Sequence, residues 1–392
     1  MGHLKIKELK IEWISSNRRQ ERTGAVYCPV LDIKNPGISW ILESEERNTL
    51  QTAYQICVSH REDACETEDW DSGWISSDQS HDIIYAGREL VSFTEYRLNV
   101  RVRDNHGGSA EKNMGFETGC MDPADWDMKL MVPEQDEPLE DTGFVQQLEE
   151  EPDSSKELTP CLYLRKRIEV KKAVKKARAY MTAQGIYHFL IDGEKILDVE
   201  YAPGFTAYDK YLEYQAYDVT ACLTKGNHAL GIIMADGWYL GHIGVAGMNC
   251  QYGKRKAVCM ELHVVYEDGT KEILHGDEEF VSSAGGLEYS DLFVGEGFDA
   301  LKEPEGWAET EYPAEGWIPV KTEAFHTEIL RAAYGDPVRA VRTLPAAQLL
   351  HTPKNELVVD FGQVLAGRAV FTFRNTKRGQ KIVPRHNRKS VL

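Results

Sequence analysis

Residues 178–199 read Arg178-Ala-Tyr-Met-Thr-Ala-Gln-Gly-Ile-Tyr-His-Phe-Leu-Ile-Asp-Gly-Glu-Lys-Ile-Leu-Asp-Val199. Apolar Ala179, Met181 and Ala183 alternate with Arg178, Tyr180 and Thr182, and 186–191 is a short apolar run broken only by His188; both suit pleated strands and not a helix. Gly185 separates the two runs. Asp192-Gly193 is the residue pair that tolerates positive φ in a two-residue hairpin turn, so the chain is expected to fold back into 195–199. The same pattern recurs on both sides. Residues 162–170 read as a strand, and Asp218-Val-Thr220 can cap a helical turn over 221–223. Lys225-Gly-Asn227 then launches a strand over 229–235, and Glu267-Asp-Gly269 turns 258–266 back into 270–274. Eight or so short strands joined by long crossing loops predict a jelly roll.

The first 121 residues carry strands at 38–42, 53–59, 83–86, 96–102 and 113–118, with a hairpin signal at Asp104-Asn-His-Gly-Gly108. Trp40 on an early strand and Tyr96 opening a late one resemble the core aromatics of a fibronectin type III or immunoglobulin-like sandwich. Residues 126–132 open the second domain, 122–324. Within it, 133–157 holds ten acidic residues, one basic residue and three prolines, the composition of a solvated loop. Residues 358–361 and 369–373 read as strands of a third sandwich. The chain after Phe325 is too short to close one, so 325–392 is expected to be an incomplete domain. The fold class is therefore all-β, with tandem β-sandwiches and the start of a third.

Composition narrows the function. The 392 residues contain 45 basic and 63 acidic side chains, a net charge of −18 that repels phosphate backbones and anionic lipid, so neither nucleic acid nor a membrane is an expected partner. No apolar run reaches the length needed to cross a bilayer, and the charges in 1–10 do not suit a signal peptide, so a cytosolic location is expected. The eight cysteines lie far apart, without a C-x-x-C pair, and read as reduced, mostly buried thiols. Residues 374–392 hold seven basic and no acidic side chains on a body of −25, which reads as a chain stopping inside a domain and not as a nucleic-acid tail.

An ordered set of short motifs carries a resemblance. Gly185–Gly193, Tyr201-Ala-Pro-Gly-Phe-Thr-Ala-Tyr-Asp209, Tyr214-Gln-Ala-Tyr-Asp-Val-Thr220, Gly226-Asn-His-Ala-Leu-Gly231, Asp236-Gly-Trp-Tyr-Leu-Gly241, Ser290–Ala300 and Asp360-Phe-Gly-Gln363 occur in that order. Together they resemble the N-terminal β-sandwich region of bacterial α-L-rhamnosidases, glycoside hydrolase family 78. The resemblance implies that catalytic carboxylates lie in an (α/α)6 barrel outside this sequence, which would pack on the jelly roll or third sandwich. It implies that this chain alone does not hydrolyse rhamnosides, and that apolar surface meant for the barrel favours self-association. Residues 384–392 depart from the family pattern.

Glycoside hydrolysis needs two carboxyls facing each other across the bond. Asp236, Asp291, Glu296 and Asp299 are candidate carboxyls, but the family's acid and base are not among them, so no catalytic residue is assigned. Sugar binding is better supported, because sugar C–H faces stack on aromatic rings while hydroxyls need fixed polar partners. Six aromatics lie between Tyr201 and Tyr217, and Trp238-Tyr239 follows in a Gly-rich loop. The expected carbohydrate-binding residues are Tyr208, Asp209, Trp238 and Tyr239, with Asp236 and Asn227 as further polar partners and a rhamnose-containing carbohydrate as ligand. No metal ligand is assigned; calcium would suit acidic side chains and sugar hydroxyls, but no run has calcium-loop spacing. The competing reading is a structural or protein-interaction module without sugar binding. Whether Tyr208, Trp238 and Tyr239 line an open cleft or pack inside decides between the two.

Overall fold

The computed structural model describes residues 4–17, 24–62, 65–138, 158–243 and 248–384. The chain divides into two compact units, Met1–Val338 and Arg339–Leu392. Nearly all regular structure is β-strand, as the two-residue periodicity predicts.

The larger unit holds two sandwiches. In the first, a sheet ordered Ile14–Ser15, Lys5–Ile11, Gly37–Glu43, Ile83–Ile84 faces one ordered Val30–Leu31, Ser109–Thr118, Glu95–Asp104, Gln51–Glu62, Cys65–Asp71. Strict alternation along Glu95–Asp104 sends Tyr96, Leu98, Val100 and Val102 into the core, against Trp40, Ile56 and Val58. The Trp40 indole N–H, buried with its ring, donates to Gln51 Oε1 at 2.8 Å. The 104–108 turn forms as expected, Asp104 Oδ1 accepting from the backbone N–H groups of His106 and Gly108 at 2.9 and 2.6 Å.

In the second sandwich, one sheet runs Lys321–Ala324, Lys129–Val132, Ala257–Tyr266, Val174–Gln184, Leu212–Asp218, Leu330–Ala332. Val26–Tyr27, from the first 121 residues, adds to Leu212–Asp218, and Leu330–Ala332 pairs with it in parallel. The facing sheet runs Glu194–Lys195, Ile186–Ile191, Gly226–Ala235, Leu162–Val170, Val281–Ala284, Ile318–Pro319. Met181, Phe189, Ile232, Met260 and Leu262 fill the space between them. At the Asp192-Gly193 turn both residues have positive φ, 51° and 85°, and Leu190 pairs with Lys195. The returning strand is only Glu194–Lys195, shorter than the expected 195–199.

An ionic clamp joins the sandwiches. Arg178 on Val174–Gln184 donates Nη2 to Glu117 Oε1 at 2.6 Å and Nε to Glu117 Oε2 at 3.0 Å, a bidentate fork, while Nη1 lies 2.8 Å from Asp218. Lys176 adds bridges to Glu95 and Glu117. Burial pushes the Glu117 carboxyl up, but the Arg178 hydrogen bonds and charge outweigh it and hold the group below its ordinary value. Beside the clamp, Phe93 of the first sandwich inserts between Trp126, Tyr180 and His263 of the second, ring centroids 4.6–5.1 Å apart.

In the smaller unit, Gln348–His351 pairs with Leu357–Asp360, matching the strand expected at 358–361. The strand expected at 369–373 does not form: among the described residues no partner offers a ladder, and Val370, Phe371 and Phe373 are exposed. The seven cysteines with described side chains are all unbridged, and burial raises the Cys28, Cys120 and Cys161 thiols to about 12. Among the described residues no helix is long and apolar enough to cross a membrane.

Candidate carbohydrate-facing surface

At one end of the second sandwich three connecting segments converge: 200–211, 236–241 and 249–256. Asp236 ends the strand Gly226–Ala235 and precedes the single helical turn Gly237–Leu240, which presents Trp238 and Tyr239. The Asp236 side chain does not cap that turn. It is 4% exposed, and its Oδ1 accepts from Lys256 Nζ at 2.6 Å and Thr159 Oγ1 at 3.0 Å. Lys256 is itself fully buried, and its backbone exchanges hydrogen bonds with the Gln135 amide at 2.7 and 2.8 Å. One lysine therefore ties Gln135, Thr159 and the Trp238 turn together. A second tie runs through buried Asp291, which accepts from His242 Nδ1 and its backbone N–H at 3.0 and 2.8 Å and from the N–H groups of Phe293 and Val294.

Around this frame the rings form one cluster. Tyr208 lies 5.3 Å from Tyr239 and 4.9 Å from Tyr252, and Phe205 lies 6.0 Å from Trp238 and 6.2 Å from Tyr208. Tyr201 closes the far side against Trp238 at 5.9 Å. Packing is tight enough that a Cβ on Gly253 would overlap the Tyr239 ring. Tyr208 is buried, its hydroxyl donating to the Gly204 carbonyl at 2.8 Å, and burial pushes that hydroxyl's pKa up. Trp238 and Tyr239 are half-buried, and Phe205 is 56% exposed. The cluster is thus a packed base with an open aromatic face, neither a cleft nor a closed core.

The structure gathers Tyr208, Trp238, Tyr239 and Asp236 at this end, with Asp209 exposed nearby and 3.2 Å from Lys210. It does not bring Asn227 there. Asn227 sits nine residues before Asp236 on one strand, a separation of about 30 Å at the strand rise. Three relevant side chains lay outside the expected set. Phe205 and Tyr252 belong to the ring cluster, and Lys256 anchors it. A fourth, Glu213, lies beside Gly204 and is half-buried, its carboxyl raised to about 7 by burial and then by the Asp32 charge.

The carboxyls considered for hydrolysis do not converge. Asp236 and Asp291 are buried and occupied as described; Asp299 accepts from the Leu301 N–H at 3.0 Å, and Glu296 is exposed on the hairpin strand Gly295–Phe298. Two surface recesses, of about 230 Å³ beside Trp13 and about 90 Å³ beside Asp32, are smaller than the few hundred Å³ of a ligand pocket. Among the described residues no three His, Cys, Asp or Glu side chains converge as a metal site would require.

The second sandwich therefore holds Asp236 and Asp291 in internal hydrogen bonds and carries a ring cluster at one end. Comparison with known proteins shows what the paired β-sandwiches are similar to. Residues 172–342 match the α-L-rhamnosidase N-terminal domain, and 27–122 match the Rha78A-like N-terminal immunoglobulin domain. An α-L-rhamnosidase of Formosa agariphila is 27% identical over 365 residues, covering 86% of this chain and 37% of that protein. One of Streptomyces avermitilis is 36% identical over 197 residues, covering 50% and 19%. The crystal structure of the Aspergillus terreus α-L-rhamnosidase superposes with a TM-score of 0.78 at 26% identity, over 92% of this chain and 39% of that one. That of the Dictyoglumus thermophilum enzyme gives 0.74 at 27%, over 91% and 38%. The chain is thus similar, over its two matched segments, to the N-terminal region of α-L-rhamnosidases. It spans little more than a third of the length of the Formosa relative.

Proposed function

We propose that this chain is the rigid support of an α-L-rhamnosidase, with hydrolysis of terminal α-L-rhamnosides performed by a catalytic domain outside the shared region. The observation that carries the reading is the internal occupation of Asp236 and Asp291, which takes both of these buried carboxyls out of any pair facing a glycosidic bond. The clamp at Arg178 supports the same role, since it fixes one sandwich against the other as a platform requires.

A second task is favoured by the exposed Phe205 face beside half-buried Trp238: contact with a rhamnose-containing carbohydrate. Calorimetric titration of the chain with L-rhamnose, with and without calcium, tests it, alongside Trp238→Ala. Saturable heat that the variant loses supports a binding surface. Absence of heat in the unsubstituted chain leaves support as the only role.

A further inference from the structure

We propose that Phe205 and Glu213 together form a pyranose subsite at the rim of the second sandwich, the sugar ring stacking on Phe205 and a vicinal diol donating to the Glu213 carboxylate. This rests on the carbohydrate reading above and narrows it to two side chains that the motif pattern does not single out.

The argument begins with strand alternation. Along Leu212–Asp218, Leu212 and Tyr214 pack toward the first sandwich, and Glu213 and Gln215 point to the other face. There Gln215 is fully used: its Nε2 donates to the Pro203 carbonyl at 2.9 Å, and its Oε1 accepts from the Tyr187 hydroxyl at 2.9 Å. Glu213, two residues closer to the rim, differs. Among the described residues no hydrogen bond or ion pair reaches its carboxylate. The cations nearby are committed elsewhere. Lys210 pairs with Asp209, and Arg331, opposite Glu213 in the strand pairing, donates to the carbonyls of Glu328 and Leu330. The other charge acting on Glu213 is the like charge of Asp32, itself held by the Ala332 N–H and the Tyr334 hydroxyl. A half-buried carboxylate without a donor is costly to the folded state, and a ligand hydroxyl supplies what the protein does not.

A glycine stands beside that carboxylate. Gly204 has φ 101°, and a Cβ placed on it would stand in van der Waals contact, 3.8 Å, with Glu213 Oε2, so the absent side chain leaves room at that point. The next residue in the chain is Phe205, 56% exposed, so an open aromatic ring follows directly on the glycine beside the acceptor. The Tyr208 hydroxyl on the Gly204 carbonyl and Thr206 Oγ1 on the Tyr211 carbonyl hold this loop in place without a ligand. A stacking face beside a carboxylate that accepts from two neighbouring hydroxyls is the chemistry that recognises a sugar ring.

The test is titration calorimetry of the whole chain at pH 8 with L-rhamnose and with methyl α-D-glucoside, using Glu213→Gln, Phe205→Ala and Trp238→Ala. Thermal melts confirm that each variant is folded. We expect saturable heat with at least one sugar, weakened about tenfold or more in both Glu213→Gln and Phe205→Ala. Heat that survives both substitutions and is lost only in Trp238→Ala overturns this subsite and leaves the carbohydrate reading standing. Silence of the unsubstituted chain with both sugars overturns the two together.

Discussion

Replacing Arg178 by methionine should loosen the junction between the sandwiches. The side chain is 9% exposed and serves two carboxylates, Glu117 in a bidentate fork and Asp218 at 2.8 Å. Removing one partner of a buried ion pair costs about 3–5 kcal/mol, because the remaining charge is left without compensation. Here Lys176, 3.1 Å from Glu117, supplies part of that compensation, so the lower end, about 3 kcal/mol, is expected. For a body of this size that corresponds to roughly 4 °C in melting temperature by differential scanning calorimetry. Glu117→Gln should cost a similar amount, and the double variant should cost less than the sum by about 1.5–3 kcal/mol, since the second change removes a charge the first has stranded. A melting temperature within a degree of the parent, or strictly additive costs, would refute the clamp.

Gly119→Ala should destabilise the same junction by roughly 2–3 kcal/mol, because its Cβ would overlap the Tyr214 hydroxyl and stand 2.9 Å from Val30 Cγ2; Tyr214→Phe in that background should recover part of the loss in urea denaturation. Glu213 governs a pH effect. Its carboxyl is raised from 4.5 to about 7 in the folded chain, so its favourable contribution is full below pH 4.5 and is lost as pH rises through 7. Glu213→Gln should therefore gain on the parent between pH 4.5 and pH 8. The shift converts to at most about 3.4 kcal/mol, reduced by solvent screening at a half-exposed group to about 1–2 kcal/mol, readable from urea midpoints at the two pH values. A variant that gains stability while losing sugar affinity is what a carboxylate kept for a ligand would produce. Lys256→Met should cost about 3–5 kcal/mol by leaving buried Asp236 uncompensated, and the disordered turn should red-shift the emission of Trp238, one of several tryptophans to be controlled for by Trp238→Phe.

Alternation and turn chemistry made most of the second sandwich legible: the Asp192-Gly193 hairpin, the strands 162–170 and 186–191, and the pairing of 258–266 with 270–274 all follow from local residue choice. Lys5–Ile11 escaped because its charged residues read as an argument against a signal peptide, although Ile6, Leu9 and Ile11 are buried core residues of a central strand. Residues 369–373 misled in the opposite sense, since alternation states a preference that only a neighbouring strand can satisfy. The clamp was out of reach because Arg178 and Glu117 lie 61 residues apart and meet only through tertiary packing. The aromatic motif gathers its rings at one end of the sandwich, but the sequence does not say which of them stay open. Tyr208 and Phe205 share a loop, and only packing separates the buried ring from the exposed one. Asn227 and Asp236 show the converse, two candidates on one strand held at opposite ends by its rise.

The central claim, that this region supports an α-L-rhamnosidase without catalysing, is tested most directly by turnover of an aryl α-L-rhamnoside with the purified chain. The account predicts no release of the aryl alcohol above the uncatalysed rate. Turnover that a single carboxylate substitution within 1–392 abolishes, at Asp236, Asp291 or Glu213, would contradict it.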